Sequence, residues 1–448
     1  MKKSTKNKNG KTTKKYGCTR KKKERVFVMN YRKVLAVALA ASMLVPAGTV
    51  FAADSESTDI TLWTYPIGNW GDAATVDGMI ANFNEAHPEI NVTVEYLDYT
   101  NGDDQINTAI EGGQAPDIVL EGPERLVANW GAKGLMADLS DMWTDDAKEA
   151  IYDSVEKACQ NNDGVFYEYP LCMTAHTMAI NRDIFEKADA LQYLDEENHT
   201  WTTENFQKAV QAVYDSGQEN VGAVYCSGQG GDQGTRALVN NLYGGTFTNA
   251  EHTEYTVNSD ENIKALELLN SMDGINFDAS IAGGDEVNLF CNGTLAMAFC
   301  WNVSQEKNNA ENLSFDVLPM AFPTESGDPQ LCGGIWGFGV FDNGDEAKIE
   351  ASKTFIDFMA NDETQAPESV KASNFWPVKD LGNVYEGDEL MTEYSAFIPY
   401  MGDYYQVVAG WAEARTAWWN MLQQIGSGTD VKTAVDEFTT TANAAAAQ

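Results

Sequence analysis

The chain has 448 residues, and its 67 Asp and Glu residues outnumber its 30 Lys and Arg residues, which gives a formal net charge of −37 at pH 7. Residues 1–52 hold 14 of the basic residues and one acidic residue, so the remainder carries 16 basic and 66 acidic residues, a formal net charge near −50. Such a chain lacks the cationic face that nucleic-acid binding requires, which excludes nucleic acid as a partner.

The N-terminal segment predicts export. An apolar run at residues 34–45 is far shorter than the ~18 residues that a membrane-spanning helix needs, and a basic pair precedes it. Residues 50–52 offer a small-residue cleavage site, so residues 1–52 are interpreted as a basic leader and a secretory signal peptide. No cysteine follows the apolar run as a lipid attachment site, so we expect a periplasmic or cell-surface protein without a lipid anchor.

The 396 residues after the leader exceed what one hydrophobic core usually serves, so two lobes are expected. The cysteines and histidines of this part show no metal-binding spacing, and no metal site is predicted. The cysteines either pair in an oxidising compartment or remain buried thiols. They are Cys159, Cys172, Cys226, Cys291, Cys300 and Cys332.

The first part of the mature chain alternates strand and helix. Apolar spacing predicts strands at 60–65, 90–97 and 118–120, and helices at 73–86, 104–111 and 126–133. Units of this kind build a parallel sheet flanked by helices. A single strand of about fifteen residues is predicted before a helix that begins at Asp183. It is longer than the ~5–6 residues of a usual strand, so it can cross between lobes.

Residues 115–139 place charged side chains after a buried strand. Residues 118–120 are a continuous apolar run, as in a parallel strand buried on both faces. Glu121, Glu124 and Arg125 therefore emerge at its carboxyl end, where open α/β sheets bind ligands. The alternative is that Arg125 bridges to either glutamate on the surface, where an ion pair contributes little.

Motifs for catalysis are incomplete. Gln233 interrupts the GxGxxG spacing in the Gly-rich loop at 227–234, and no GxSxG occurs. Residues 273–280 resemble a chitinase strand, but Asn276 and Ser280 stand where acids are needed. We therefore predict no catalytic residue and no cofactor. A secreted glycan hydrolase with an unrecognised carboxylate pair remains an alternative.

Several short motifs occur in order along the mature chain. They are the Pro-Asp stretch at 115–139, Tyr169-Pro170, 181–185, 201–206, 290–297, 315–319, Gly333-Gly334 and 410–428. Each motif alone is weak, but the ordered set covers nearly the whole mature chain. It resembles the extracellular solute-binding proteins of ABC sugar importers, family 1, which includes the maltose-binding type.

The resemblance implies a two-lobe α/β fold, the type II periplasmic-binding-protein fold. Each lobe would be a mostly parallel sheet flanked by helices, with hinge strands between the lobes. Lobe I would hold residues 53–168 and 320–365, and lobe II would hold residues 169–319 and 366–448. The lobes would close on a ligand by a hinge motion.

The resemblance also implies a set of ligand-binding residues between the lobes. Polar members would bind sugar hydroxyls, and aromatic members would stack on the apolar face of a pyranose. Any of the aromatic residues could instead belong to the core. The predicted residues are Tyr65, Glu121, Glu124, Arg125, Thr174, Trp301, Trp336, Trp376, Trp411 and Arg415.

The predicted function is the extracytoplasmic substrate-binding component of an ABC transporter, which captures a neutral sugar or oligosaccharide and delivers it to membrane permease subunits. Only Arg125 and Arg415 fall in the expected cleft segments, and recognition of an anion generally uses Arg or Lys. We expect a monomer that performs no chemistry. The alternatives are the glycan hydrolase and a binding protein for a cationic ligand such as a polyamine.

Overall fold

The computed structural model describes residues 57–98, 101–227 and 232–447. The predicted leader and signal peptide lie outside these residues. Within the described ranges, no helix has both the length and the apolar character needed to cross a membrane. All six cysteines of the described part are buried and form no disulfide, which favours the buried-thiol alternative.

The described residues form eleven strands: β1 (Thr58–Thr64), β2 (Ile90–Tyr96), β3 (Ile118–Glu121), β4 (Tyr169–Ala175), β5 (Thr177–Asn181), β6 (Gly222–Ser227), β7 (Ile275–Ala282), β8 (Met297–Trp301), β9 (Val317–Met320), β10 (Gly333–Val340) and β11 (Trp376–Pro377). A six-stranded sheet has the order β11-β4-β10-β3-β1-β2, a three-stranded sheet has the order β8-β5-β9, and β6 pairs with β7. β1 runs parallel to β2 and β3, whereas β10 runs antiparallel to β3 and β4.

Helices flank these sheets. In the described ranges they are α1 (Ala73–Ala86), α2 (Gly102–Glu111), α3 (Pro123–Arg125), α4 (Asp145–Ala150), α5 (Asp153–Ala158), α6 (Arg182–Lys187), α7 (Thr203–Asp215), α8 (Asp232–Tyr243), α9 (Asp260–Ser271), α10 (Gly283–Cys291), α11 (Val303–Asn309), α12 (Glu346–Asn361), α13 (Gln365–Ser373), α14 (Glu389–Ser395), α15 (Trp411–Gly426) and α16 (Val431–Ala446). The large-sheet side comprises the six-stranded sheet with α1, α3, α12 and α13. The small-sheet side comprises the two smaller sheets with α8, α10 and α15.

The spacing of apolar residues explains the first strand–helix–strand unit. α1 buries Val76, Met79, Ile80 and Phe83 at helical spacing, and Asp72 accepts a hydrogen bond from the first turn as its N-cap. The structure agrees with the predicted strands and helices from β1 to β3 to within two residues. The mixed α/β fold class is confirmed.

The predicted helix at 126–133 is wrong in type. The chain makes one short turn, α3, and then a π-helix at Leu126–Gly131. Gly131 packs so closely that a Cβ there would lie 2.6 Å from the ring of Tyr167. Apolar spacing over so few residues does not distinguish α from π winding.

The predicted long strand is in fact two strands that belong to different sheets. β4 lies in the six-stranded sheet and β5 in the three-stranded sheet, so the chain passes between sheets at His176. It returns between β9 and β10. β11 also lies in the six-stranded sheet, beside β4. The exact lobe boundaries remain a prediction.

Candidate functional site

Four charged side chains meet beyond the end of β3. Arg125 Nη1 lies 2.5 Å from Glu121 Oε1, and Arg125 Nε and Nη2 donate to Asp103 at 2.9 and 3.0 Å. Glu124 Oε1 lies 3.8 Å from Arg125 Nη1. Pro123 begins a helical turn directly after β3, and this turn brings the guanidinium of Arg125 to Glu121, the last residue of β3. The arginine thus joins β3, α3 and α2 in one network.

Burial controls the charge of this network. Glu121 is 1% exposed, and burial raises its pKa to about 7 although Arg125 acts in the opposite direction. Burial alone would lower the pKa of Arg125, but Glu121 and Asp103 outweigh it and raise that pKa well above its ordinary value. Near neutral pH, Glu121 can therefore either accept or donate a hydrogen bond.

Tyr65 supports the network from the end of β1. Its hydroxyl donates to Asp103, and the Arg125 guanidinium lies 5.4 Å from the centre of its ring. A Cβ on Gly102 would lie 2.7 Å from that ring, so only glycine fits at the first position of α2. Burial, and then the neighbouring Asp103, raise the pKa of Tyr65, so its hydroxyl keeps its proton.

A second charged group lies on the small-sheet side. Asp232, the first residue of α8, pairs with Arg236 at 2.8 Å and accepts a hydrogen bond from Arg415 of α15 at 3.0 Å. Burial alone would raise the pKa of Asp232, but Arg236 and Arg415 hold it below its ordinary value. The guanidinium of Arg236 lies 4.5 Å from the ring centre of Trp411, the first residue of α15.

The segment 404–406 joins the two groups. Tyr404 donates to Glu124 Oε2 at 2.7 Å on the large-sheet side. Gln406 accepts from Arg236 Nη2 at 3.2 Å on the small-sheet side. Burial alone would raise the pKa of Asp103, but Arg125, Tyr65 and, with a smaller effect, Arg415 hold it below its ordinary value, so Arg415 lies near Asp103. The two charged groups therefore face one another.

We call this region the interlobe site. It comprises Tyr65, Asp103, Glu121, Glu124 and Arg125 on the large-sheet side, Asp232, Arg236, Trp411 and Arg415 on the small-sheet side, and residues 404–406 between them. It thus contains six of the ten residues that the sequence predicts.

Two predicted residues are held by other neighbours. Trp301 is 0% exposed, its Nε1 donates to Tyr394 at 2.6 Å, and its ring meets Phe290 edge to face. Thr174 is buried in β4. An apolar strand that ends in tryptophan has the same sequence pattern whether the ring faces a cleft or the core.

The two remaining predicted residues pack on the large-sheet side. Trp336 of β10 stacks on Phe375 with ring centres 4.6 Å apart, and Trp376 of β11 is 8% exposed and meets Tyr385 edge to face. The structure does not bring either tryptophan to the charged groups of the interlobe site.

Sequence reasoning missed several residues of the site. Asp103 has a recognisable signal, since it is an acid in the first turn of a helix that follows a strand. Asp232 also has one, because it follows the Gly-rich loop. Arg236 lies one turn further on, whereas Tyr404 and Gln406 lie in an irregular segment without any pattern. Over the described ranges, no three His, Cys, Asp or Glu side chains are grouped to hold a metal ion.

The chain crosses between two α/β sides after β4 and again after β9, and charged and aromatic residues face one another between them, which defines a two-lobe binding protein. Residues 68–366 match the profile of the family described as bacterial extracellular solute-binding protein. The chain belongs to this family, as its motifs predict. No curated protein sequence is significantly similar to it.

Solved structures confirm the fold. A cyclic α-maltosyl-1,6-maltose binding protein from Arthrobacter globiformis has a TM-score of 0.71 at 18% identity, over 87% of this chain and 99% of the other. A putative oligosaccharide periplasmic-binding protein from Synechococcus sp. MITs9220 has a TM-score of 0.70 at 17% identity, over 87% and 99%. An ABC substrate-binding protein from Listeria monocytogenes in complex with cycloalternan has a TM-score of 0.64 at 20% identity, over 87% and 98%.

Proposed function

We propose that this protein is the extracytoplasmic substrate-binding component of an ABC transporter. It captures a neutral sugar or oligosaccharide in the interlobe site and delivers it to a membrane permease. The observation that carries the proposal is the pair of charged and aromatic groups that face one another between the sheets, held by Arg125 and Asp232. The family and the sugar-binding proteins of similar fold support it.

The chemistry of the site suits a neutral, hydroxyl-rich ligand. The site holds three arginines and four acidic residues, and every arginine contacts at least one of these acids, so no unpaired positive charge is left for an anionic ligand. Charged groups held in this way present hydrogen-bonding atoms in fixed directions without attracting a net charge. Trp411, which is 5% exposed beside Arg236, supplies aromatic surface for the C–H face of a sugar ring.

The site also suits binding without reaction. Arginines lower the pKa values of Asp103 and Asp232, so neither is suited to be the general acid of a glycosidase, and Glu121, whose pKa is raised, is 1% exposed and paired with Arg125. We therefore propose that the ligand is released unaltered. We also propose that the protein acts as a monomer in the periplasm or at the cell surface.

A binding screen tests the proposal. Purified protein is heated with glucose, galactose, maltotriose, cellotriose, xylotriose and spermidine, and the best ligand is then titrated by calorimetry. A ligand at 100 times its Kd should stabilise the fold by ~2.7 kcal/mol. We expect a sugar to bind, with an affinity that varies little between low and high salt because a neutral ligand has no charge to screen.

A matched pair of variants locates the binding. Arg125→Leu should abolish sugar binding, whereas Arg182→Leu, which removes an ion pair with Glu196 elsewhere, should keep it. Spermidine binding that weakens in salt would favour the polyamine alternative. Cleavage products in a chromatogram of the released sugar would favour the hydrolase.

A further inference from the structure

A fully buried carboxyl group lies beside the interlobe site without any hydrogen-bond partner. Glu168, the residue before β4, is 0% exposed, and within the described ranges neither Oε1 nor Oε2 has a partner. Buried polar groups are nearly always satisfied, because leaving one unpaired opposes folding. A pair of unsatisfied carboxyl oxygens therefore needs an explanation.

The carboxyl group of Glu168 lies against the backbone of β10 at Gly337, close to the interlobe site. A Cβ at Gly337 would lie only 2.8 Å from Glu168 Oε1, so the bare backbone of β10 makes room for it. Gly337 is the residue paired with Glu121 across β10 and β3. Burial raises the pKa of Glu168 well above its ordinary range, with Glu124 and then Glu121 near enough to add to the effect. Burial thus favours the protonated form of Glu168, which can donate as well as accept a hydrogen bond.

The segment 404–406 lies near this carboxyl group. Tyr404, whose hydroxyl contacts Glu124, is also close enough to Glu168 to be affected by its charge. Its neighbours in the chain contact both sides: Tyr405 stacks on Phe247 with ring centres 5.1 Å apart, whereas Gln406 accepts from Arg236 and donates to Gly333 O of β10 at 3.2 Å. Glu168 therefore lies beside the segment at which the two sides meet.

Unsatisfied polar atoms also lie on the other side of the segment 404–406. Arg236 is 0% exposed, and its Nη1 has no hydrogen-bond partner among the described residues. The same holds for Nδ1 of His176, which lies 8% exposed where the chain crosses between the sheets. Gln406 and Cys332 relate Arg236 to His176: Arg236 contacts Gln406, Gln406 Nε2 lies 3.5 Å from Cys332 Sγ, and the backbone N–H of His176 donates to Cys332 O at 3.1 Å. Donors and acceptors thus remain unused on both sides of one segment.

We propose that Glu168 is a ligand-binding residue of the interlobe site, and that its carboxyl group recognises a hydroxyl group of the sugar together with unused polar atoms of Arg236 and His176. The proposal rests on the proposed function. A sugar hydroxyl both donates and accepts, as a protonated carboxyl group does, so the two are complementary. A site built to pair with a hydroxyl group discriminates against ligands that lack it.

Replacement of Glu168 by an apolar residue distinguishes a ligand-binding role of this residue from a structural role. Glu168→Met removes an unsatisfied polar group while keeping similar volume, so the empty variant should unfold at a higher temperature than wild type. The sugar that gives the largest shift in the screen should nevertheless bind it at least about tenfold more weakly, because the sugar then loses a partner. Glu168→Gln, which keeps a donor and an acceptor, should bind within about threefold of wild type.

Glu286 provides the matched control. It is also 0% exposed, but its carboxyl oxygens accept from the backbone N–H groups of Phe299 and Cys300 at 2.5 and 2.9 Å. Glu286→Met should therefore unfold at a lower temperature and keep the sugar affinity of its folded fraction. Wild-type affinity in Glu168→Met, or an equal loss in Glu168→Met and Glu168→Gln, would overturn the role of Glu168. Failure of wild type to bind any sugar would instead overturn the proposed function itself.

Discussion

At the scale of single residues, Trp411 and Trp301 have different environments although both precede polar helical turns. Trp411 lies against Arg236 in the interlobe site, whereas Trp301 is enclosed by Phe290 and Tyr394. Trp411→Ala should weaken sugar binding by about 1–2 kcal/mol, because it removes a stacking surface. Trp301→Phe should instead lower the free energy of unfolding by about 1–3 kcal/mol, because the hydroxyl of Tyr394 loses a buried donor.

Calorimetry and urea unfolding of both variants check this contrast. Weaker sugar binding by Trp301→Phe at full stability would show that Trp301 faces the ligand after all. Unchanged affinity in Trp411→Ala would remove Trp411 from the site.

His176 should make stability depend on pH. Burial, and then Arg236, lower its pKa to about 4, whereas the unfolded chain has an ordinary value near 6.5. Between pH 6.5 and pH 4 the unfolded chain therefore binds a proton at His176 that the folded protein does not bind. The free energy of unfolding falls as the pH falls through this range. The loss is on the order of 3 kcal/mol across this window.

Replacement of His176 isolates this contribution. Urea unfolding of wild type and His176→Gln at pH 7, 5.5 and 4.5 should show a shallower loss of stability in the variant, since the carboxylates titrate in both proteins. Parallel curves for the two proteins would mean that His176 binds its proton equally well when folded.

At the scale of secondary-structure elements, α8 can carry Asp232 and Arg236 only because Gly234 lets it approach β8. A Cβ on Gly234 would lie 1.9 Å from the backbone oxygen of Phe299. Gly234→Ala should therefore destabilise the protein by more than ~1 kcal/mol and weaken sugar binding, because α8 must move away from β8.

Gly78 is the matched control for this prediction. It also lies inside a helix, α1, but nothing lies within 4 Å of a Cβ placed there. Gly78→Ala should stabilise the protein by about 0.5–1 kcal/mol through helix propensity and leave sugar binding unchanged. Chemical denaturation and calorimetry measure both effects. Equal stability of the two variants would contradict the close packing of α8.

The elements differ in how far the sequence predicts them. β1, α1, β2 and β3 are predictable because their apolar residues repeat with one period and turn residues bound them. The break at His176 is not predictable, since both halves of the strand are apolar and only tertiary pairing separates them. For the same reason Glu168 gives no signal: a glutamate before a strand is usually on the surface, and only the fold buries it.

The residues of the site also differ in how far the sequence predicts them. Glu121, Glu124 and Arg125 are predictable because they follow a short buried strand in a recognisable motif. Tyr404 and Gln406 lie in irregular structure, and their contacts join residues far apart in the sequence. No local pattern encodes such contacts.

At the scale of the whole molecule, the segment 404–406 should control how the two sides open and close. The hydroxyl of Tyr404 contacts Glu124, and Gln406 contacts both Arg236 and the backbone of Gly333 in β10. A sugar that contacts both sides makes some of its contacts only when the two sides are close, so it binds the closed state more tightly than the open state. Only such a difference in affinity can drive closure. X-ray scattering should therefore give a smaller radius of gyration for the wild type with saturating sugar than for a more open empty population.

Tyr404→Phe tests the contribution of this contact to closure. The variant removes one hydrogen bond that crosses between the sides and leaves the ring in place, so the balance in the empty protein should shift toward the open state by about 1 kcal/mol. The radius of gyration of the empty variant should exceed that of the empty wild type, while the two sugar-bound proteins should scatter alike.

Tyr385→Phe serves as the control, because the hydroxyl of Tyr385 contacts Phe375 within the large-sheet side. This variant should scatter like wild type in both states. If empty Tyr404→Phe and empty wild type scatter identically, the contact with Glu124 does not hold the two sides together. If the scattering of wild type does not change when sugar binds, hinge closure itself is contradicted.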